Sequence, residues 1–150
     1  MKCLDAVKIL GIVLLISIAH TGCKHSLSAG NPDAAMSKAS ITDGVWRLAA
    51  FQRPGGREES VAPEPQYTIQ FGADERFAGQ AHCNRHMGKY ELRPAGSITL
   101  TAGASTLMMC IGDSIAGEFL KALGTVTNYE LRDGKLILSG GGAKLTFTHQ

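Results

Sequence analysis

The chain has 150 residues, of which 44% are hydrophobic and 19% are charged, and its formal net charge is +2. This nearly balanced charge gives no electrostatic argument for a nucleic acid or an acidic polymer as a partner. The length suffices for one compact domain with a tether and is too short for two domains.

The N-terminus predicts export from the cytoplasm. Met1–Lys8 carries two lysines, and Ile9–Ala19 is an apolar run shorter than the ~20 residues of a membrane-spanning helix. We therefore expect residues 1–22 to be a signal peptide. The following Cys23 resembles the lipidated cysteine of bacterial lipoproteins, although His20 stands where an aliphatic residue is usual. Simple secretion with a free Cys23 is the alternative.

Residues 23–43 are interpreted as the lipidated N-terminus and a flexible tether. They are rich in Ser and Ala and have no sustained apolar period, and about 20 such residues reach roughly 25 Å. Lys24, rather than Asp, follows the cysteine, which favours the outer membrane, with the domain facing the periplasm or exposed at the surface. The expected partners are the membrane, through the lipid anchor, and an unidentified protein or small molecule, but no nucleic acid.

Residues 44–150 are interpreted as a single domain of short strands. Trp46, Leu48 and Ala50 alternate along the first strand, and Arg53–Pro65 is predicted to be a loop because of its prolines, glycines and charges. Further strands are predicted at Tyr67–Phe71, Arg76–Cys83, Lys89–Leu92 and Ser97–Thr101, and in two closing hairpins with turns at Asp133-Gly134 and Gly140–Gly142.

A helix is predicted once, over Asp113–Gly124. Asp113 or Ser114 can cap its first turn, and Gly124 can end it. Its apolar stripe consists of Ile115, Phe119, Leu120 and Leu123. Many short strands with one helix predict a mainly β fold (α+β), in which a small, antiparallel, barrel-like sheet packs on the single helix.

The four cysteines have different expected fates. Cys3 leaves with the signal peptide, Cys23 is lipidated, and Cys83 and Cys110 remain. Two thiols in an oxidising compartment allow one intramolecular disulfide. This bridge would close a loop of about 27 residues and stabilise the fold by about 3.5 kcal/mol in the chain-entropy model. It requires the two Cα atoms to lie within ~7 Å of each other.

A nucleophilic role for Cys83 is a second interpretation of the same segment. His82, His86 and Asn84 surround the thiol in sequence, a composition seen in thiol-protease sites. Adjacent residues on a strand point to opposite faces, however, so His82 and Cys83 would not share a proton easily. We therefore expect no catalytic residue.

Metal binding is a third interpretation, because imidazole, thioether and thiolate donors together suit Cu(I). The candidate donors are His82, Cys83, His86, Met87, Met108, Met109 and Cys110, and His82, His86 and Met87 are the most testable subset of them. The alternative is that Met87 and Met109 fill gaps in the core and that the histidines are exposed loop residues. The favoured interpretation remains the disulfide, without a metal or another cofactor.

Four separated landmarks resemble the META domain family, also called HslJ-like. They are G-V-W-R-L-A-A-F at 44–51, F-A-G-x-A-H-C-N-R-x-x-G-x-Y at 77–90, A-S-T-L-M-M-C at 104–110 and F-L-K-A-L at 119–123. The likeness covers about residues 43–149. It implies a small β-rich fold with one helix, found in bacterial envelope lipoproteins that are often linked to stress responses, and it implies no enzymatic activity.

The resemblance also assigns motif positions, which we expect to be structural. Besides the two cysteines, the motif falls on Asn84, Gly88, Tyr90, Ser105, Thr106 and Met108, and the chain departs from it at His82, His86, Met87, Leu107 and Met109. We therefore expect a non-catalytic envelope lipoprotein, acting as a binding or stress-related support module at the outer membrane. A periplasmic, copper-type metal-binding protein is the alternative.

Overall fold

The computed structural model describes residues 41–112 and 114–150. The expected signal peptide, Cys23 and most of the expected tether lie outside these residues, as does Asp113, one of the two expected helix caps. Within the described ranges, no helix combines the length and the apolar character that crossing a membrane requires.

The described chain folds into strands and one helix, labelled here in chain order. The strands are β1 (Val45–Gln52), β2 (Glu58–Ser60), β3 (Thr68–Phe71), β4 (Arg76–Ala81), β5 (Asn84–Arg93), β6 (Ser97–Ser105), β7 (Asn128–Arg132), β8 (Lys135–Gly140) and β9 (Ala143–His149), and the helix is α1 (Ala116–Leu123).

The strands form one antiparallel sheet that closes on itself. Their order is β2-β1-β3-β4-β5-β6-β7-β8-β9, and β1 also pairs with β9. Closure leaves β2 outside the ring, because it pairs with the end of β1 that β3 does not cover. For residues 41–112 and 114–150, the predicted mainly β, barrel-like fold with a single helix is confirmed. Closing a sheet removes most of its exposed edges, which otherwise invite pairing with other chains.

The first strand differs from the prediction in its second half. Trp46 and Leu48 point into the core as expected, but the pairing with β9 shifts register between Leu48 and Ala50. This irregularity brings Phe51 into the core in place of Ala50, because a β-bulge reverses the alternation beyond it. The predicted loop after β1 also contains the short strand β2.

The helix packs its apolar stripe into the barrel. Phe119 is fully buried and contacts the rings of Tyr67, His86 and Phe147, at centroid distances of 5.6, 5.7 and 6.4 Å. Burying a phenylalanine side chain contributes about 1.5–3 kcal/mol. The helix begins at Ala116, later than predicted, and Ser114 Oγ accepts a hydrogen bond from the Ala116 N–H at 3.2 Å.

Both closing hairpins form where the sequence predicts them. Asp133 and Gly134 have φ angles of 53° and 70°, and Gly141 and Gly142 have φ angles of 56° and 80°. Positive φ at both central residues is what a tight hairpin turn with matching strand twist requires. The hairpins bring β9 back to β1, and this pairing closes the barrel.

The folded unit begins upstream of residue 44. Ile41, which the sequence assigned to the tether, is fully buried, and its carbonyl oxygen accepts a hydrogen bond from Trp46 Nε1 at 2.8 Å. Ile41, at the end of the expected tether, is therefore part of the core.

Candidate functional site

The segment between β6 and α1 exposes an unusual set of apolar side chains. Leu107, Met109 and Ile111 are 95, 98 and 95% exposed, and Met108 between them is 58% exposed. We call Leu107–Ile111 the apolar loop. Among the described residues, Met87 is the other large apolar side chain in this exposed class. Isolated exposed apolar residues are ordinary, but a contiguous group usually marks an interaction surface.

A disulfide ties the apolar loop to the barrel. Cys83, in the turn between β4 and β5, is bonded to Cys110, and their Cα atoms are 5.7 Å apart. This separation lies in the usual range for disulfides. The structure thus places the two cysteines as the favoured interpretation requires, and both thiols are committed to the bond.

The side chain of Asn84, the first residue of β5, also holds the loop. Its Oδ1 accepts hydrogen bonds from the Met108 N–H at 2.6 Å and from Thr106 Oγ1 at 3.0 Å. Its Nδ2 donates to the Met108 carbonyl at 3.0 Å and lies 3.3 Å from Cys110 Sγ. One amide side chain thereby satisfies both backbone groups of Met108, as a neighbouring strand would.

Ser105 and Thr106 fix the point where the loop leaves the sheet. Thr106 exchanges two hydrogen bonds with Arg85: the Arg85 N–H donates to Thr106 Oγ1 at 2.9 Å, and the Thr106 N–H donates to the Arg85 carbonyl at 3.0 Å. Ser105 Oγ also donates to this carbonyl, at 3.1 Å. The motif residues Asn84, Ser105 and Thr106 therefore form one polar network beneath the apolar loop.

Gly88 and Tyr90 belong to the barrel instead. A side chain at Gly88 would collide with the Thr101 carbonyl and the Phe77 ring. Tyr90 is buried, and its hydroxyl donates to the Gly72 carbonyl at 2.7 Å. Burial, followed by the negative charges of Glu75 and Asp74, raises the pKa of Tyr90. Both motif positions stabilise packing and do not line the loop.

The predicted metal subset is separated in the structure. His86 is a core residue, with Nε2 2.9 Å from the Thr68 carbonyl oxygen, and desolvation by burial lowers its pKa. Met87, the next residue on β5, is 43% exposed, because successive strand residues face opposite sides. The idea that the histidines are exposed loop residues is wrong for His86. The idea that Met87 and Met109 fill core gaps is wrong for both.

His82 lies beside the disulfide. The sequence argument against a nucleophile, that His82 and Cys83 point to opposite faces of a strand, therefore does not hold. That argument assumed that β4 continues through Cys83, but β4 ends at Ala81 and His82 adopts φ 62° in the turn. Outside a strand, neighbouring side chains are free to converge. A ring nitrogen of His82 and the sulfurs of Cys83 and Cys110 all lie within 4.8 Å of one another.

The strand that precedes the loop has a partly open edge. β7 pairs with β6 only at Ser97 and Asn128, so in the part of the chain that the structure describes the rest of this β6 edge has no strand partner. Exposed edges are commonly protected by charged residues. Between Arg93 and Asp113, however, the sequence contains no charged residue. The β6 strand and the apolar loop therefore contribute no charged side chain of their own to this surface.

A cleft of about 370 Å³ near β2 is a competing site. Its lining includes Arg53, whose side chain is 2.7 Å from both Glu59 and Glu118. The hydrogen bond to Glu118 is the largest cause of the raised pKa of Arg53. Because these charged groups already pair with one another, the cleft offers a ligand fewer unpaired groups to bind. The apolar loop is therefore the better candidate site.

Comparison with protein families gives a match to the META domain over residues 39–150. Comparison with curated proteins gives no match. These results agree with the resemblance carried by the four sequence landmarks.

Two solved structures illustrate the fold similarity. A protein from Burkholderia xenovorans, solved by NMR, is 26% identical, with 80% of this chain and 88% of that chain covered and a TM-score of 0.61. A DUF4847 family protein from Bacteroides vulgatus is 16% identical, with 76% and 97% covered and a TM-score of 0.58. The second similarity concerns the fold alone.

Proposed function

Because the chain belongs to the META domain family, we propose that it is a non-catalytic binding module of the bacterial cell envelope. In this proposal the apolar loop docks into an apolar groove of a partner protein, and an acyl chain on Cys23 anchors the module to the outer membrane. The observation that carries the proposal is the near-complete exposure of Leu107, Met109 and Ile111.

Burial of these side chains supplies the driving force for docking. Each large aliphatic side chain that moves from water into an apolar groove contributes about 1.5–3 kcal/mol. Three such side chains in one short loop provide several kcal/mol, before the entropic cost of association is subtracted. The β6 edge beside the loop adds surface whose own side chains carry no charge that a partner would have to desolvate.

The bracing of the loop reduces the cost of binding. The disulfide and the Asn84 hydrogen bonds fix the backbone around Met108 and Cys110 before a partner arrives. A preorganised loop loses less conformational entropy on binding than a loop that must be ordered by its partner. This explains physically why a covalent bond and an amide network support residues that contribute nothing to the core.

A protein groove fits this surface better than the membrane itself does. Segments that insert into a membrane interface typically carry Lys or Arg beside their apolar residues, because these contact anionic headgroups. The apolar loop and the strand before it contain neither, and the exposed Arg85, bonded through its backbone to Thr106, is a single cation at the base of the loop. A fixed loop shape is also an advantage against a groove of defined shape, whereas a fluid bilayer does not require it.

The proposed anchor places the module where such a partner would be encountered. A lipid on Cys23 and a tether with a reach of about 25 Å keep the domain near the membrane while leaving it free to rotate. Restricting a protein to a surface raises its effective concentration toward other proteins there. The family's association with envelope lipoproteins supports this arrangement, and a stress-related support role is compatible with it.

Docking is tested by placing a photoreactive phenylalanine analogue at Met109 in the full chain, expressed in cells that export it. The same analogue at Lys135, on the distant β7–β8 hairpin, is the control. We expect a discrete crosslinked protein from position 109 and not from position 135. The crosslinked protein is then identified by mass spectrometry, purified, and titrated with this chain by calorimetry.

The titration decides between a specific site and incidental contact. Replacing Leu107, Met109 and Ile111 together by serine should weaken the affinity at least about a hundredfold. The control replaces Glu130, Arg132 and Lys135 by serine and should bind like the wild type. Absence of a position-specific crosslink, or equal affinities of the two triple variants, would refute the docking proposal.

The anchor has an independent test. The intact mass of the protein extracted from membranes should correspond to a chain that begins at Cys23, carries acyl groups, and lacks two hydrogens because of the disulfide. A Cys23→Ala variant should be released from the membrane fraction. An unacylated chain that is nevertheless retained there would contradict lipidation and leave the docking test unaffected.

A further inference from the structure

The geometry points to a latent metal site at the base of the apolar loop. We propose that reduction of the disulfide converts Cys83, Cys110 and His82 into a three-ligand site for a soft or borderline d¹⁰ cation such as Zn²⁺. This site goes beyond the docking proposal. Of the donors that the sequence suggested, the structure brings together His82, Cys83 and Cys110, whereas His86 and Met87 of the most testable subset take no part.

The three donor atoms already converge. The two sulfurs and a ring nitrogen of His82 lie within 4.8 Å of one another. Zinc bonds of about 2.3 Å to sulfur and 2.0–2.1 Å to nitrogen imply tetrahedral ligand separations of roughly 3.5–3.8 Å. The sulfurs are closer than this while bonded and move apart on reduction. The site therefore needs adjustments of about an ångström, which side-chain rotation can supply.

His82 is positioned for coordination. Its backbone φ of 62° is uncommon for a residue other than glycine. Its Nδ1 is buried and has no hydrogen-bond partner among the described residues. A buried polar atom without a partner costs roughly 1–3 kcal/mol. In the described part of the chain, the Nδ1 of this imidazole is thus available beside the sulfurs, unlike the ring of His86, which bonds to the Thr68 carbonyl.

Asn84 would support the ligands from behind. Its Nδ2 is 3.3 Å from Cys110 Sγ and 3.9 Å from Cys83 Sγ. Amide N–H donors at these distances stabilise thiolate charge, and such outer contacts commonly change metal affinity by about 10–100-fold. Both cysteines are only half-buried, so a reductant and a cation can reach them. A solvent molecule can complete a four-coordinate site.

The site forms in two steps, reduction of the disulfide and then binding of the cation. A dithiol reductant exchanges with the disulfide, giving two protein thiols and one oxidised dithiol, with two electrons and two protons transferred to the protein. Zn²⁺ then displaces one proton from each thiol, forms two zinc–sulfur bonds and one bond to the neutral imidazole, and releases two protons to solvent. The bound site has no net charge.

The test uses the full chain, reduced anaerobically and freed of reductant, beside an untreated oxidised sample. Zn²⁺ affinity is measured by competition with a chromophoric chelator, and Co²⁺ serves as a spectroscopic substitute. We expect one equivalent in the reduced protein, thiolate-to-cobalt charge transfer with tetrahedral d–d bands, and at least tenfold weaker binding in the oxidised sample. Circular dichroism and ¹H–¹⁵N spectra report whether the reduced protein remains folded.

Variants separate the proposed ligands from other donors. His82→Ala should weaken Zn²⁺ binding at least about tenfold and change the Co²⁺ spectrum. Met87→Leu, which alters a donor of the sequence-suggested set, should bind like the wild type. The double variant Cys83→Ser, Cys110→Ser should lose the thiolate-to-cobalt charge-transfer band. Its circular dichroism also shows whether the domain folds without the disulfide.

Three outcomes would contradict the proposed metal site. They are equal Zn²⁺ affinity in the oxidised and reduced proteins, an unchanged affinity and spectrum in His82→Ala, and uptake that occurs only when the reduced chain unfolds. Because the docking titration uses the oxidised protein and no metal, either proposal can fail while the other stands.

Discussion

The barrel core and the apolar loop use the same residue types for opposite purposes. In the core, Leu48 and Phe119 are buried, and their removal from water stabilises the fold. In the loop, Leu107 and Ile111 face solvent, and the backbone is held by a disulfide and by the amide of Asn84. The comparison shows that a segment can be ordered without burying its own side chains.

Because the core side chains are buried and the loop side chains are exposed, the former contribute to the free energy of folding and the latter are available to contribute to the free energy of binding. Changes in the core should lower the stability of the whole domain. Loss of the disulfide or of the Asn84 side chain should loosen the backbone of the apolar loop and lower the stability. Changes at the exposed side chains of the loop should leave the stability intact. The following predictions test that ranking, beginning with the largest expected effect.

Phe119→Ala should lower the free energy of unfolding by about 3–5 kcal/mol, because it removes a fully buried ring between the helix and the barrel. Urea denaturation followed by circular dichroism measures this change. Lys121→Ala, at an exposed position on the same helix, should remain within about 0.5 kcal/mol of the wild type. Similar losses in both variants would mean that the helix is not packed as described.

Loss of the disulfide should lower the free energy of unfolding by about 3.5 kcal/mol, the chain-entropy value for cysteines separated by 27 residues. Cys83→Ser and reduced wild type should show this loss in thermal unfolding. Reductant should have no further effect on Cys83→Ser. Labelling of two thiols in the native, non-reduced protein would show that the bridge is absent.

Asn84→Ala should lower the free energy of unfolding by about 1–3 kcal/mol, because the backbone groups of Met108 lose their partner. Hydrogen exchange of the Met108 amide should become much faster in this variant. Asn128→Ala, whose side chain accepts one exposed hydrogen bond from Thr127, is the control and should change little. An unaltered exchange rate of the Met108 amide would show that Asn84 does not hold the apolar loop.

His86 should make the barrel less stable in acid. Burial lowers its pKa from the ordinary value of 6.5, so below this pH the unfolded chain binds more protons than the folded one. The stability attributable to the neutral ring is fully present above pH 6.5 and is lost as the pH falls through the lower folded pKa. The stability difference between wild type and His86→Gln should therefore depend on pH in this window. A constant difference from about pH 7.5 to 5 would contradict the assignment.

Leu107→Ser should have the smallest effect on stability, within about 0.5 kcal/mol, because its side chain is 95% exposed. Leu48→Ser, the matched change in the core, should be severely destabilising. Chemical denaturation of both variants measures the contrast. A loss of more than about 2 kcal/mol in Leu107→Ser would show that the loop is packed against the domain in solution.

The barrel could be predicted well because its signals are local. Alternation at Tyr67, Ile69 and Phe71 and the Asp133-Gly134 pair each specify structure through neighbouring residues. The irregularity between Leu48 and Ala50 could not be foreseen, because it depends on the pairing of β1 with the distant strand β9. A local pattern fixes the direction of a strand but not its register shifts.

The site was only partly predictable, because its contacts connect distant segments. The spacing and compartment of Cys83 and Cys110 suggested their pairing, but nothing near Asn84 indicates that its amide reaches Met108. The period-two pattern of His86, Gly88 and Tyr90 could have placed His86 inside the barrel. The uncharged segment between Arg93 and Asp113 was the available signal for an interaction surface.

The most direct test is the backbone order of the loop in the oxidised, unbound protein. Amide order parameters from ¹⁵N relaxation should be near 0.85 at Thr106, Met108 and Cys110, as in a rigid barrel, and should fall after reduction. Values below about 0.6 in the oxidised protein would show that the disulfide and Asn84 do not hold the apolar loop, and would contradict a preorganised binding surface.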